Sequence, residues 1–101
     1  MENATETKNI DEALRLDSLK LPPKPRIVKI EWDFYEDSMG EESLKILLLL
    51  DDSTTDKELK KAPVHAIKRA IRDSLTKHKI RLFPYFYFDR KGEYEARKAG
   101  E

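Results

Sequence analysis

Between Ile27 and Tyr35 apolar and polar residues alternate one by one, with Val28, Ile30, Trp32 and Phe34 on one side and Lys29, Glu31 and Asp33 on the other. A period of two is that of a strand buried on one face. Leu44 to Leu50 repeats it through Leu44, Ile46, Leu48 and Leu50, but Leu47 and Leu49 make the other face apolar as well. The intervening Glu36 to Ser43 contains Asp37, Ser38 and Gly40, which favour turns, so the two runs are predicted to form a hairpin. After Pro63 the period lengthens. Val64, Ile67, Ala70, Ile71 and Leu75 share one face of a helix, with His65, Lys68, Arg69, Arg72 and Lys77 on its solvent side. Ile80 to Phe88 reads as a third strand, apolar and aromatic on both faces, and Pro84 within it favours an edge position or a bulge.

The flanks are less regular. Residues 1–8 carry no apolar pattern and are expected to be disordered. Asn9 with Glu12 resembles a helix N-cap, and Ile10, Ala13 and Leu14 follow at helical spacing, predicting a short helix over roughly 10–19. The prolines of Leu21-Pro22-Pro23-Lys24-Pro25 end it in an extended connector. Thr55 and Glu58 form a capping box, and Pro63 suits the first turn of the long helix. Asp89 to Gly92 reads as a turn and Glu93 to Ala96 as a short fourth strand. The fold class is therefore α+β in the order αββαβ, with a three- or four-stranded sheet and a helix packed on one face. Residues 1–25 form a flexible N-terminal segment, 26–96 a single domain and 97–101 a polar tail.

Composition narrows the classes. The chain of 101 residues suits one domain and is small enough that oligomerisation is a common remedy for a limited core. Charged residues make up 40%, well above the usual figure of about 25%. Cysteine is absent, which excludes disulfides, thiolate metal sites and a cysteine nucleophile. The start of the chain is polar and acidic rather than signal-like, and the longest aliphatic run, Ile46 to Leu50, is far too short to span a bilayer. A cytoplasmic location with no membrane partner is expected. The net charge is zero, yet the charge is segregated. From Glu31 to Asp56 nine acids face one base, Lys45; from Lys57 to Leu82 nine bases face two acids, Glu58 and Asp73. Such asymmetry marks a surface for a charged partner, or a hairpin and helix lying side by side in mutual neutralisation.

No catalytic constellation, cofactor motif or metal motif emerges. His65 and His78 are separated along one helix by about 20 Å, and His78 near a helix C-terminus suits the macrodipole. Asp51-Asp52-x-x-x-Asp56 lacks the alternating acids, glycine and terminal glutamate of a calcium loop. Gly40, Gly92 and Gly100 are too dispersed to cradle a nucleotide. The informative feature is the two-faced sheet. Its second face presents Leu47, Leu49, Phe83, Tyr85 and Tyr87, an apolar patch seldom left bare in a monomer. Three covers compete: the N-terminal helix folding back through Ile10, Leu14 and Leu21; a second copy or protein partner; or stacked bases of a single strand.

Ile71-Arg72-x-x-Leu75, followed by Ile80-Arg81-Leu82-Phe83-Pro84-x-Phe86-x-Phe88-Asp89, resembles the C-terminal part of the ribosome-binding factor A family. Lys24-Pro25-Arg26 before an alternating strand and an acidic hairpin is similar to that family too, as is the order of elements. The resemblance implies a KH-like fold that binds structured RNA on the small ribosomal subunit. It places RNA contacts at Lys68, Arg69, Arg72, Lys77, Lys79 and Arg81. The chain departs from the family in being neutral, in having Ala62-Pro63 where a small-residue kink is expected, and in lacking a GxxG clamp. The expected function is a non-catalytic binding module associated with RNA or the ribosome. The alternative is a protein-interaction or self-associating domain, and neither reading calls for a cofactor.

Overall fold

Leucine on both faces of one strand requires a cover on both sides, and the chain is arranged around that strand. The computed structural model describes residues 4–100. They form α1 (Ala4–Ala13), a 3-10 turn at Leu16–Ser18, β1 (Ile27–Glu36), β2 (Glu42–Leu50), α2 (Asp56–Lys60), α3 (Val64–Lys77), β3 (Phe83–Arg90) and α4 (Lys91–Ala99). The sheet is mixed, with strand order β1-β2-β3. β1 runs antiparallel to β2 as the predicted hairpin, while β3 returns through α2 and α3 to lie parallel to β2. A parallel pair needs such a helical crossover, and its presence makes this an α+β fold of the expected order. Pro84 falls on the edge strand, where a missing N–H costs nothing to the ladder.

One face of the sheet carries Leu44, Ile46 and Leu48 into a cluster with Ile67, Ile71 and Leu75 of α3 and with Ile10, Ala13 and Leu14 of the N-terminal segment. Trp32, Phe34, Phe86 and Phe88 pack around this cluster. The structure thus corrects the expectation that the first 25 residues stand apart from the core: Ile10 and Pro25 are fully buried. Of the three covers weighed for the second face, the N-terminal helix is therefore not the one: it shares the α3 face. Two polar contacts fix it there, Trp32 Nε1 donating to Asp11 Oδ1 at 2.7 Å and Ser74 Oγ donating to the Ala13 carbonyl at 2.7 Å. Residues 4–8, expected to be disordered, belong to α1, while 1–3 lie outside the described residues.

Three local differences have plain causes. A bulge between Ile27 and Lys29 shifts the parity of β1, so Ile27, opposite Leu50, packs on the core where alternation alone points to Val28. β3 begins at Phe83 rather than Ile80 because α3 closes in a Schellman turn. Ile80 N donates to the Leu75 carbonyl at 2.9 Å and Lys79 N to the Thr76 carbonyl at 2.9 Å, with Lys79 left-handed at φ 62°. The third difference is α4, a helix where a turn and fourth strand are expected. Gly92 N donates to Asp52 Oδ1 at 2.7 Å, and a Cβ on Gly92 would collide with that carboxylate. The glycine is the clearance for an acid capping the helix start, not a turn residue. Arg90 adds a second tie, donating to the Thr54 carbonyl at 2.7 Å and to Asp56 Oδ1 at 2.8 Å.

Replacing Ile10 with alanine removes a buried side chain from the central cluster and should cost about 2–4 kcal/mol in urea unfolding. A helix merely resting on the surface would lose far less. Lys79→Gly relieves a left-handed backbone and should raise stability by about 1 kcal/mol, read as a higher urea midpoint at unchanged slope.

Candidate interaction surface

In the parallel register Phe83, Tyr85, Tyr87 and Asp89 lie opposite Ser43, Lys45, Leu47 and Leu49, so all eight share the second face of the sheet. Lys29, Glu31, Asp33 and Tyr35 of β1 complete it. α4 covers one half. Tyr94 donates its hydroxyl to Glu31 Oε1 at 3.2 Å, Lys98 Nζ lies 3.9 Å from the same oxygen, and Arg97 pairs with Asp89. Leu49 is consequently fully buried and Leu47 half-buried, which removes Leu49 from the expected open face. The large apolar side chains it leaves exposed are aromatic: Phe83 is 55% exposed, Tyr87 43% and Tyr35 39%.

Ser43 explains how these rings gather. Its side chain is small and buried, which lets Tyr35 and Tyr85 meet across it edge to face, their centroids 5.5 Å apart. Phe83 continues the cluster at 5.0 Å from Tyr85, and Lys45 Nζ lies 5.4 Å from the Tyr87 ring centre. Asp37 locks the hairpin turn beside them. Its carboxylate accepts from Met39 N at 2.9 Å, Glu41 N at 3.0 Å, Ser43 Oγ at 3.4 Å and the Tyr85 hydroxyl at 3.4 Å. Gly40 makes the tight turn with φ 79°. The Glu41 amide, aided by Met39, Tyr85 and Ser43 against a contrary effect of desolvation, holds the Asp37 carboxyl below its ordinary 3.8. Burial and the Asp37 charge push the Tyr85 phenol above 10.0.

The six basic candidates do not form one patch. Arg72, Lys79 and Arg81 line a groove of about 660 Å³ between the end of α3 and the start of β3, together with Thr76 and the apolar Leu75, Ile80, Leu82, Phe83 and Pro84. No carboxylate lines it. Lys68 and Arg72, one helical turn apart, lie 5.7 and 5.9 Å from the Phe86 ring, their stems covering the edge of the core. Lys77 is on the opposite flank, in a separate depression with Ser18, Leu19, Lys20 and Asp73, and Arg69 is exposed on α3. Phe83 belongs both to the aromatic face and to the basic groove, joining two surfaces that the sequence presents as separate.

Charge neutralisation between hairpin and helix does not occur by ion pairing. Among the described residues none of Lys68, Arg69, Arg72, Lys77, Lys79 and Arg81 makes an ion pair, and neither do Glu36, Glu41 and Glu42. The loop acids, by contrast, have structural partners. Asp51 accepts from the amide and hydroxyl of Ser53, whose hydroxyl bond is the main cause holding its carboxyl below 3.8; Asp52 caps α4; and Asp56 binds Arg90. The His78 ring lies 2.9 Å from the Ser74 carbonyl at the end of α3. No group of three or more His, Cys, Asp or Glu among the described residues is placed to hold a metal ion. The fold and this surface define a small α+β domain with a mixed sheet and one basic, aromatic edge, and no described helix is long and apolar enough to cross a membrane. No family model, curated protein or solved structure matches the chain.

Because the Asp37 carboxyl is depressed in the folded state, its contribution to stability is complete above 3.8 and is lost as pH falls through the lower folded value. Asp37→Asn keeps an acceptor for the turn amides but cannot titrate there. Thermal unfolding between neutral pH and pH 2 should therefore show a shallower acid loss in Asp37→Asn than in the parent, and equal slopes would refute the assignment.

Proposed function

We propose that this protein is a non-catalytic, cytoplasmic RNA-binding module of the ribosome-associated kind that the likeness to the ribosome-binding factor A family implies. One observation carries the reading: the groove between α3 and β3 gathers Arg72, Lys79 and Arg81, with no acid on its walls and, among the described residues, no ion pair to any of the three. Guanidinium and ammonium groups held unpaired at a concave edge are suited to phosphate oxygens, and Phe83 at the rim offers a ring for an unstacked base. The order helix, strand, strand, helix, helix, strand supports the KH-like part of the reading. The acidic hairpin confines RNA to this one edge, since a neutral chain has no general cationic surface.

The exposed rings of Phe83 and Tyr87 favour a second reading, a self-associating domain. The two differ in salt chemistry and in stoichiometry. Fluorescence anisotropy with labelled small-subunit ribosomal RNA fragments should show affinity falling steeply with salt. Arg72→Glu with Arg81→Glu should abolish binding at moderate salt, and the neutral pair Arg72→Gln with Arg81→Gln should lower the logarithmic salt slope by roughly 2. Lys77→Gln, on the far flank, should leave affinity within about twofold. Absence of binding at low salt, or equal loss from Lys77→Gln, would sink the RNA reading.

A further inference from the structure

The turn that ends α3 has a lysine where helices most often have glycine. Among the described residues Lys79 is the only non-glycine with a positive φ, at 62°. In a Schellman turn this position is usually glycine and sometimes asparagine, because a Cβ crowds the backbone in the left-handed region. The lysine is held there from both sides. Ile80, whose N–H closes the turn on the Leu75 carbonyl, packs against the core cluster. On the other side His78 N donates to the Ser74 carbonyl at 3.1 Å, and the His78 ring lies 2.9 Å from the same oxygen. A backbone outlier fixed by its surroundings points to a use for the side chain it carries.

Inside the domain that use is missing. Lys79 is exposed and makes no ion pair among the described residues. A cation near the helix C-terminus is favourable, but Lys77 in the last turn of α3 already provides one. What Lys79 adds is a charge on the wall of the groove, beside Arg72 and Arg81 and with no acid near it.

We propose that Lys79 is the anchoring phosphate contact of this groove, kept in a left-handed turn at a cost in stability because its ammonium binds a backbone phosphate of the RNA. The proposal rests on the RNA reading and adds to it which cation the fold gives up stability to present. The turn itself suits the task. Two backbone hydrogen bonds and the packing of Ile80 fix the point from which the lysine stem leaves, so less order has to be imposed when a phosphate arrives. Arg81, by contrast, lies in the segment between α3 and β3, outside either element. An ammonium needs no fixed plane of approach, whereas a guanidinium binds best as a fork, so a lysine can hold a phosphate from a stem whose direction the turn dictates. With glycine at 79 the turn would relax, and the groove would keep two cations instead of three.

The test measures stability and affinity on the same proteins, by urea unfolding and by anisotropy with the labelled small-subunit ribosomal RNA fragments. Lys79→Gly should raise the urea midpoint yet weaken RNA binding roughly three- to tenfold, with the logarithmic salt slope lower by roughly 1. A gain in stability joined to a loss of affinity cannot come from a damaged fold. Lys79→Gln keeps the Cβ and the left-handed backbone but not the charge, so it should lose the same affinity without raising the midpoint. Lys77→Gln removes another cation from the same helix end and should leave affinity within about twofold. If Lys79→Gly binds as the parent does while Arg72→Gln binds more weakly, the assignment of Lys79 fails and the RNA reading stands. A midpoint that does not rise in Lys79→Gly refutes the cost in stability, and an equal loss of affinity in Lys77→Gln refutes a specific contact. A parent that binds no RNA at low salt removes the RNA reading and the role of Lys79 together.

Discussion

Everything in this structure follows from a central strand with no polar face to give to water. β2 buries Leu44, Ile46, Leu48 and Leu50 on one side and Leu49 on the other, so it needs a layer above and a layer below. Fully burying a side chain of this size contributes about 1.5–3 kcal/mol relative to exposure, and no other feature of so small a chain operates on that scale. The first layer is α3 with α1, each presenting branched aliphatic residues to the cluster. The second layer is incomplete. α4 spans nine residues, and its cover ends before Tyr85 and Phe83. The exposed aromatic edge is what remains when one short helix covers a face that needs two.

The two layers are held by different forces. α1 with the Leu14 that follows it, and α3, contribute Ile10, Leu14, Ile67, Ile71 and Leu75, all buried or nearly so. α4 buries no residue completely and is attached through Asp52, Glu31 and Asp89. Exposed ion pairs such as Lys98–Glu31 are worth about 0.2–1 kcal/mol each and weaken with salt. Burial therefore decides the architecture of the first layer, and charge placement decides the position of the second.

Much of this was legible in the chain, element by element. The hairpin, the amphipathic α3 and the capping box at Thr55 show themselves by period and by cap chemistry, and the structure has all three, Glu58 N donating to Thr55 Oγ1 at 3.1 Å. α4 was obscured because Gly92 reads as a turn when its partner is out of sight; the acid that requires it, Asp52, is forty residues away. The helical signal was present in Lys91 and Glu95, a pair one turn apart. The core role of Ile10 was hidden for a similar reason. Three apolar residues in a polar segment say that a helix has an inner face, not which surface that face meets. Of the site, the basic and aromatic residues were visible as types, but their meeting at Phe83 depends on the parallel register of β2 and β3, which no local pattern encodes.

That register also decides where the segregated charges come to lie. A chain that pairs β3 parallel to β2 brings the end of α3, the start of β3 and the tip of the hairpin to the same end of the sheet. Phe83 belongs to that end too, opposite Ser43 in the ladder and on the wall of the basic groove. Segregated charge in this protein thus begins along the chain, with acids in the hairpin and bases in the helices, and the fold carries both to one end of the sheet.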